Sequence, residues 1–215
     1  MYKKAKQLKQ INDTGLVAVI RAENTEKALK VTEAIQKGGL NNIEITMTVP
    51  GAVDVIKKLT DEFKDDMLVG AGSVLDSETA RACILAGAEY IVSPTIDKET
   101  IKLCNRYNKI VMPGAMSVNE VKYAMELGAD VVKVFPASLF GPKIIKAIKG
   151  PIPQANLMPT GGVSLNNIGE YLKAGIFAAG AGSSLTKGAR EGNYNKVTED
   201  TKRFLEVIAD TRNQL

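Results

Sequence analysis

The 215-residue sequence contains no histidine and no tryptophan, and it has only two cysteines, Cys83 and Cys104. Without histidine, the chain lacks both a common zinc ligand and the side chain that usually titrates near neutral pH. The two cysteines do not have the spacing of metal ligands. Proton transfer would therefore depend on a carboxylate, a lysine, a tyrosine or water, and we expect neither a metal nor another cofactor.

Aromatic residues are also scarce, and charge of either sign is not concentrated. Aromatic residues make up 5% of the chain. The formal net charge is +4, and the lysines are scattered along the sequence. These values do not favour binding to nucleic acid, whereas they suit a small anionic substrate. The first residues, "MYKKAKQLKQ", predict a polar helix face and lead into no long apolar run. We therefore expect no membrane partner, no secretion signal and a cytoplasmic location.

A glycine followed by an apolar strand pattern occurs four times along the chain. The repeats are "GGLNNIEIT" (38–46), "AGAEYIVSP" (86–94), "LGADVVKVFP" (127–136) and "AGIFAAGAGS" (174–183). A glycine directly after a helical pattern is a common C-cap, because it adopts the left-handed conformation without strain. Each repeat therefore predicts the end of a helix that leads into a strand.

Further strand and helix patterns fill the space between these repeats. Apolar runs occur at 16–20, 67–72, 109–114 and 155–162. Helices are predicted at 25–37, 51–63, 77–85, 97–106, 117–126, 142–148, 165–173 and 194–209. Strands that alternate regularly with helices are typical of a parallel sheet covered by helices. Because no linker interrupts the eight units, we predict one α/β domain over residues 1–215, closed as a (β/α)₈ TIM barrel.

The lysine in "DVVKVFPA" interrupts a run that otherwise reads as a buried strand. Alternate residues of a barrel strand face the interior, so Lys133 would share its face with Phe135. In "IEIT", the two isoleucines are expected to face the helical layer. Glu44 and Thr46 alternate with them and would therefore face the interior. The amine and the carboxylate are thus predicted to meet near the C-terminal ends of the strands, where barrel enzymes have their active sites.

Lys133 has two interpretations on these grounds. It is either half of a structural ion pair with Glu44, or an amine nucleophile that forms a Schiff base. Desolvation beside Phe135 and the neighbouring valines favours the neutral, nucleophilic amine. A charged Glu44 favours the ammonium form instead, although it suits proton shuttling. The residues alone leave both interpretations open.

Glycine-rich segments follow the seventh and eighth predicted strands. They are "PTGGV" (159–163) and "GAGSS" (180–184). Loops at these places often bind phosphate in barrels, through backbone N–H groups and a helix N-terminus. Ser183 would add a hydroxyl. A third segment, "GAGSV", predicts either a tight turn or a place where Ser73 binds a carboxylate, and Arg21 would bind an anion at the end of the first strand.

Taken in order, these motifs resemble a known family. "IEIT", "GAGSVL", "SP", "PG", "KVFPA", "PTGGV" and "GAGSSL" are similar to motifs of the aldolases for 2-keto-3-deoxy-6-phosphogluconate (KDPG) and 4-hydroxy-2-oxoglutarate (KHG). The resemblance extends over residues 14–208. It implies a metal-free class I aldolase on a (β/α)₈ barrel, usually a homotrimer. Such enzymes cleave the phosphorylated keto acid KDPG reversibly to pyruvate and glyceraldehyde 3-phosphate, in the Entner–Doudoroff pathway.

The resemblance also implies roles for individual residues. Lys133 would form the imine, Glu44 would carry protons, and Phe135 would wall the pyruvyl group. The other expected substrate-binding residues are Thr46, Ser73, Pro94, Thr160, Gly161, Gly162, Gly182 and Ser183, the phosphate lying towards Gly161, Gly162 and Ser183. Several family members have an arginine where this chain has Thr48. A branch with an arginine at the end of the first strand matches Arg21, which is therefore expected to hold the pyruvyl carboxylate.

Other functions share the same motifs. KHG and the galactonate epimer of KDPG contain the same pyruvyl half as KDPG, so the lysine motif does not separate them. The predicted phosphate loops favour the phosphorylated substrates. A non-catalytic barrel that binds a phosphate ligand, with a structural pair of Lys133 and Glu44, is the alternative from another class. It would form no adduct with pyruvate.

Overall fold

A computed structural model describes residues 2–215 as strands that alternate with helices. The strands are β1 (Leu16–Ile20), β2 (Asn42–Thr46), β3 (Leu68–Gly72), β4 (Tyr90–Val92), β5 (Ile110–Met112), β6 (Gly114–Ala115), β7 (Val132–Val134), β8 (Leu157–Pro159) and β9 (Ala179–Ala181). The helices are α1 (Lys3–Thr14), α2 (Thr25–Lys37), α3 (Ala52–Phe63), α4 (Ser77–Leu85), α5 (Lys98–Arg106), α6 (Val118–Glu126), α7 (Lys143–Lys149), α8 (Ile168–Lys173), α9 (Ser183–Arg190) and α10 (Tyr194–Arg212). Over this range, no helix combines the length and the apolar character that a membrane crossing requires.

All strand pairs are parallel, and they form two sheets. The larger sheet has the order β5-β4-β3-β2-β1-β9, and the smaller one has the order β6-β7-β8. A parallel bridge between Thr160 and Gly180 connects the end of β8 with β9. The strand predicted at 109–114 is divided at Pro113, because proline has no N–H to donate to a neighbouring strand. The predicted α/β class with parallel strands is confirmed.

The helices begin where polar side chains satisfy their first backbone N–H groups. The N-cap side chains that accept such a hydrogen bond are Asn24, Asp76, Asp97, Ser117 and Asn193. Helix α2 matches the predicted range 25–37. Helix α9 was not among the predicted helices. It begins inside the "GAGSS" segment, where a phosphate-binding loop with a helix N-terminus was expected. A tertiary contact supports its first turn, where Ser184 donates a 2.6 Å hydrogen bond to the carbonyl of Val163.

Buried apolar side chains form two clusters on opposite faces of the strands. The outer cluster joins the helices to strand residues such as Ile43, Ile45, Val132 and Val134. The inner cluster consists of Ile11, Val17, Leu68, Tyr90, Val92, Ile110, Met112, Val131, Met158 and Ala178. Val131 therefore faces inward while its neighbour Val132 faces the helices, which confirms the alternation predicted for this strand.

Helix α1 covers the amino ends of the strands. Its Ile11 belongs to the inner cluster. Beside it, Glu89 accepts hydrogen bonds of 2.6–2.9 Å from Lys3, Gln7 and Lys109. Burial of Glu89 works against ionisation, but these hydrogen bonds together hold the pKa of its carboxyl group below the ordinary value. The N-terminal segment, predicted to present a polar helix face, thus also fastens α1 to the strands.

We expect Glu89→Gln to lower the free energy of unfolding by about 1–3 kcal/mol near neutral pH, because an amide loses the charge-assisted hydrogen bonds. A carboxyl group with a lowered pKa in the folded state contributes stability above its unfolded pKa. This contribution disappears as the pH falls through the folded pKa. The difference between wild type and variant should therefore shrink below about pH 4.

Urea denaturation at neutral and acidic pH measures this difference. Glu62→Gln is a suitable control, because Glu62 is exposed and has no ion pair within residues 2–215. A difference between wild type and Glu89→Gln that stays constant into acid would contradict the role given to the ionised carboxylate.

Candidate active site

Glu44 and Lys133 meet on the inner face of the strands. Glu44 is the middle residue of β2, and Lys133 is the middle residue of β7. Their neighbours along each strand belong to the outer cluster, so the two charged side chains emerge on the opposite face. The Nζ atom of Lys133 lies 3.9 Å from Oε1 of Glu44, and the side chains are only 6% and 1% exposed. The two charges that were predicted to meet therefore do so.

This pair leaves much of its hydrogen-bonding capacity unused. Within residues 2–215, neither carboxylate oxygen of Glu44 has a hydrogen-bond partner, and 3.9 Å is too long for a hydrogen bond from Lys133. The Lys133 amine lies 5.1 Å from the centroid of the Phe135 ring, a cation–π distance. Buried polar groups are normally hydrogen-bonded. Both charged groups therefore keep donors and acceptors available for a substrate.

Two glycines of β3 make room for large side chains of the adjacent strands. A Cβ atom at Gly72 would overlap the carboxylate of Glu44, and one at Gly70 would overlap the ring of Tyr90. The Tyr90 hydroxyl donates a 2.5 Å hydrogen bond to the carbonyl of Ile43, the residue before Glu44. Burial, and then the charge of Glu44, raise the pKa of Tyr90 well above its ordinary value. Tyr90 is thus a neutral hydroxyl that fixes the strand carrying Glu44.

The "GAGSV" segment contains the end of β3 and the residues that follow it. The strand predicted at 67–72 is present as β3, which ends at Gly72, and both glycines serve packing between strands. Ser73 follows with a positive φ of 57°, which is uncommon for a residue with a side chain. Ser73 therefore lies at the end of β3, next to the strand of Glu44. Its contact with a carboxylate stays a prediction.

A cavity of about 550 Å³ opens near the carboxyl ends of β1, β8 and β9. The predicted site residues that line it are Arg21, Phe135, Thr160, Gly161, Gly162, Gly182 and Ser183. Gly161 and Gly162 have φ values of 89° and 79°, so this turn favours glycine. Small-molecule sites usually measure roughly 300–1,000 Å³, and this cavity falls in that range.

Phe135 connects the cavity with the buried pair. The Phe135 ring has the Lys133 amine as one neighbour and the glycine turn as another. A Cβ atom built on Gly161 would lie 3.5 Å from the ring. Glu44 and Lys133 themselves do not line the cavity. The cavity therefore ends at an aromatic side chain that the lysine amine also approaches.

Two further predicted residues lie near the pair but outside the cavity. The Thr46 hydroxyl shares a 2.7 Å hydrogen bond with Thr48 and donates a 3.4 Å one to the carbonyl of Ile20. The backbone of Pro94 occupies the space where a side chain at Gly114 would lie, and Gly114 is the register partner of Lys133. Pro94 is therefore close to the strand of Lys133.

Sequence reasoning missed the basic side chains of α9. Lys187 and Arg190 line the cavity. The other lining side chains that were not predicted are Val19, Val163, Ser164, Ser184, Thr186 and Glu191. A signal was present in the spacing, because Ser183, Lys187 and Arg190 share one face when the segment is helical. Without a predicted helix, this spacing had no interpretation.

The two cysteines offer no alternative nucleophile. Both are buried and free, and burial raises the pKa of the Cys83 thiol to about 11 and that of Cys104 to about 12. Thiols with such pKa values are not nucleophilic thiolates near neutral pH. Within residues 2–215, no three acidic or cysteine side chains cluster as metal ligands. Lys133 is the candidate nucleophile that adjoins the cavity.

Comparison with known proteins places this geometry in a family. The model of the KDPG and KHG aldolases matches residues 8–199. The chain belongs to this family. It is 31% identical over 204 residues to the 2-dehydro-3-deoxy-phosphogluconate aldolase of Haemophilus influenzae, covering 94% of this chain and 96% of that enzyme. It is also 35% identical over 171 residues to the 2-dehydro-3-deoxy-6-phosphogalactonate aldolase of Escherichia coli K12, covering 79% and 83% of the two chains.

A solved structure extends this likeness to three dimensions. The KDPG aldolase from Legionella pneumophila, with pyruvate captured as a covalent carbinolamine intermediate, superposes with a TM-score of 0.84. The two chains are 29% identical, and the match covers 91% of this chain and 96% of the Legionella enzyme. The family resemblance predicted from the motifs is thus confirmed over almost the whole chain.

We expect Gly72→Ala to slow aldol cleavage by roughly 100- to 10,000-fold, the usual contribution of a general acid–base. The new methyl group would occupy the space of the Glu44 carboxylate and displace it. Glu44→Gln, which removes the charge without a steric change, should fall in the same range. Steady-state kinetics measure both variants, and circular dichroism verifies that each one folds.

Gly150→Ala is the matched control for this experiment. A Cβ at Gly150 has its nearest neighbours at 3.6 Å, an ordinary van der Waals distance. It should therefore leave turnover close to wild type. If Gly72→Ala turned over like this control, the close packing of Glu44 on β3 would have no catalytic importance.

Proposed function

We propose that this protein is a class I aldolase, an aldehyde-lyase that cleaves KDPG reversibly to pyruvate and glyceraldehyde 3-phosphate through a Schiff base on Lys133. One observation carries the proposal. A buried lysine and a buried glutamate lie 3.9 Å apart beside a cavity, and within residues 2–215 the glutamate has no hydrogen-bond partner. The covalent pyruvate intermediate of the Legionella relative supports the same chemistry here.

The reaction follows from the two side chains. The Lys133 amine adds to the C2 keto carbon of the substrate, and water leaves to give a protonated imine. Glu44 then accepts the proton of the C4 hydroxyl. The C3–C4 bond breaks, the aldehyde departs, and the electron pair of the bond moves into the imine as an enamine. Protonation of the enamine at C3 by Glu44, followed by addition of water, releases pyruvate and the free amine.

Glu44 takes the proton-transfer role because the alternatives are poor. The chain has no histidine. The nearby Tyr90 hydroxyl already donates to a backbone carbonyl, and its raised pKa keeps it protonated. The unpartnered oxygens of Glu44, in contrast, are able to accept a substrate proton and return it. A merely structural ion pair would not need them to stay without hydrogen bonds.

Arg21 holds the pyruvyl carboxylate in this proposal. It directly follows β1, whose last residue, Ile20, accepts a hydrogen bond from Thr46. Arg21 therefore lies beside the end of the strand that carries Glu44. Its guanidinium group forms a forked, charge-assisted contact with a carboxylate, which the neutral Thr48 does not provide. Ser73, at the end of the next strand, adds a hydroxyl to the same group.

The glycine turn and the start of α9 receive the phosphate. Gly161 and Gly162 present backbone to the cavity, and Ser183 is the first residue of α9, where helix N–H groups favour an anion. Thr160 and Gly182 line the path between the two ends. The Thr160 hydroxyl is buried and, within residues 2–215, has no hydrogen-bond partner, so it suits a substrate hydroxyl.

We also infer that the strands close into an eight-stranded (β/α)₈ barrel within one domain. Two observations support closure. Strands β5 and β6 are separated only by Pro113, so they continue one strand, and the bridge from Thr160 to Gly180 joins the two sheets at their other edges. By family resemblance, we expect a cytoplasmic homotrimer.

The galactonate epimer of KDPG is a second candidate substrate. The relative from Escherichia coli that carries this substrate in its name is 35% identical to the chain, slightly more than the Haemophilus enzyme. KHG shares the pyruvyl half and is the third candidate. A comparison of kcat/KM for the three compounds assigns the preferred one.

We expect borohydride with pyruvate to add a stable mass to the peptide that contains Lys133, because reduction fixes the imine as a secondary amine. Lys133→Met should give no adduct and lose KDPG cleavage. Peptide mass mapping and a coupled assay for glyceraldehyde 3-phosphate measure the two effects. Lys202→Met changes an exposed lysine of α10 and is the control. It should keep both adduct formation and KDPG cleavage.

A Lys133→Met protein that cleaves KDPG at nearly the wild-type rate would overturn the proposed function. A wild-type protein that binds phosphorylated ligands but forms no adduct would instead support the non-catalytic barrel.

Arg21 is exposed in the structure, and a bound substrate would bury its contact with the carboxylate. We expect Arg21→Ala to reduce kcat/KM by roughly 30- to 5,000-fold, the usual effect of removing one partner of a buried charged contact. The loss should also occur in deuterium exchange of pyruvate, which requires the carboxylate contact but no phosphate. Proton NMR of the pyruvate methyl group measures the exchange. Arg106→Ala, at an exposed arginine of α5, is the control. Normal exchange by Arg21→Ala would assign Arg21 to the phosphate instead.

A further inference from the structure

The cavity contains more positive charge than a backbone phosphate site requires. Ser183, Lys187 and Arg190 all line it, spaced four and three residues apart on α9. This spacing places them on one helix face, which runs from the anion-favouring N-terminus along the cavity wall. The glycine turn after β8 lies in the same cavity. The charged face of α9 therefore extends the site beyond its backbone donors.

These two cations are not used elsewhere in the described chain. Within residues 2–215, neither Lys187 nor Arg190 takes part in an ion pair. The charged side chains that line the cavity are Arg21, Lys187, Arg190 and Glu191, three positive and one negative. The cavity thus has a formal charge of +2. Even without Arg21, which the proposed function assigns to the carboxylate, α9 contributes two cations.

The position of these cations fits the far end of the substrate. The Lys133 amine approaches the Phe135 ring, and that ring borders the cavity. A substrate held at its keto carbon by Lys133 would therefore extend past Phe135 into the cavity. Its terminal group would then lie between the glycine turn and α9. A phosphate ester is close to doubly charged near neutral pH, whereas a carboxylate carries one charge.

We propose that Lys187 and Arg190 are specificity-determining residues that bind the terminal phosphate and select phosphorylated 2-keto-3-deoxy acids over 4-hydroxy-2-oxo acids without phosphate. This inference rests on the proposed function, since it concerns the remote end of the same substrate. The backbone N–H groups of the glycine turn are uncharged donors. The two side chains add attraction that grows with ligand charge and weakens with ionic strength.

Kinetics of Lys187→Gln, Arg190→Gln and the double variant test the proposal. We expect each single change to lower the ratio of kcat/KM for KDPG to that for KHG by roughly 3- to 30-fold, and the double change to lower it further. The fall should lie mainly in KM. The salt dependence of kcat/KM for KDPG should also become shallower. Lys202→Gln removes an exposed lysine outside the cavity and should keep the wild-type ratio.

A direct binding measurement separates this inference from the proposed function. Calorimetry with glycerol 3-phosphate, and with glycerol as the uncharged reference, reports the anion site whether or not an imine forms. Weaker binding of glycerol 3-phosphate by both variants supports the proposal. Equal losses for KDPG and KHG, or unchanged binding of glycerol 3-phosphate, would overturn it even if pyruvate is trapped on Lys133. Absence of the trapped adduct would overturn the proposed function, and weaker binding of glycerol 3-phosphate by the variants would then support the anion site alone.

Discussion

The candidate site depends on an amine and a carboxylate that are buried together without good hydrogen bonds. A 3.9 Å separation with no partner for Glu44 within residues 2–215 offsets only part of the desolvation of two charges. The packing of the surrounding fold must offset the remaining cost of desolvation. The strand neighbours of both residues are valines and isoleucines that pack in the outer cluster. Neither charged side chain is able to turn outward without removing these residues from that cluster. The fold thus holds the pair without the hydrogen bonds that a bound substrate would supply.

The two ends of the inner face have different compositions, and this difference supports the proposed position of the active site. At the amino ends, α1 and the inner cluster fill the space, and Glu89 fastens the helix. At the carboxyl ends, small residues leave a cavity, and Gly161 and Gly162 form its turn. Between the two regions lies the buried pair. Under the proposed function, the packed end supplies stability while the open end receives the ligand, which is the usual division in a (β/α)₈ barrel.

The sequence predicts the facing of side chains well because alternation along a strand is local. The placement of Glu44 and Lys133 on one face needed only the apolar residues on either side of each. The role of the glycines in β3 was harder to predict, because it depends on side chains of other strands. Gly70 and Gly72 leave space for Tyr90 and Glu44, and nothing within "GAGSV" indicates this. A glycine there reads equally well as a turn.

Two other differences have the same origin. Helix α9 begins in a segment rich in glycine and serine, and part of its support comes from the contact between Ser184 and Val163, 21 residues away. Local propensity therefore predicted a loop. The break at Pro113 was visible as a proline, but its effect depends on which neighbour each half of the strand pairs with. Long-range partners decide these details, and a single sequence does not name them.

The proposed roles divide recognition of the substrate between a buried part and an exposed part. Glu44 and Lys133 are buried in strands, where a change in one side chain disturbs the packing of its neighbours. Lys187 and Arg190, in contrast, are exposed on a helix that borders the same cavity. Substitutions there alter the charge that the remote end of a ligand meets, yet they leave the reacting groups in place. If the proposed roles hold, substrate preference is able to change through α9 while the bond-breaking chemistry at Lys133 stays the same.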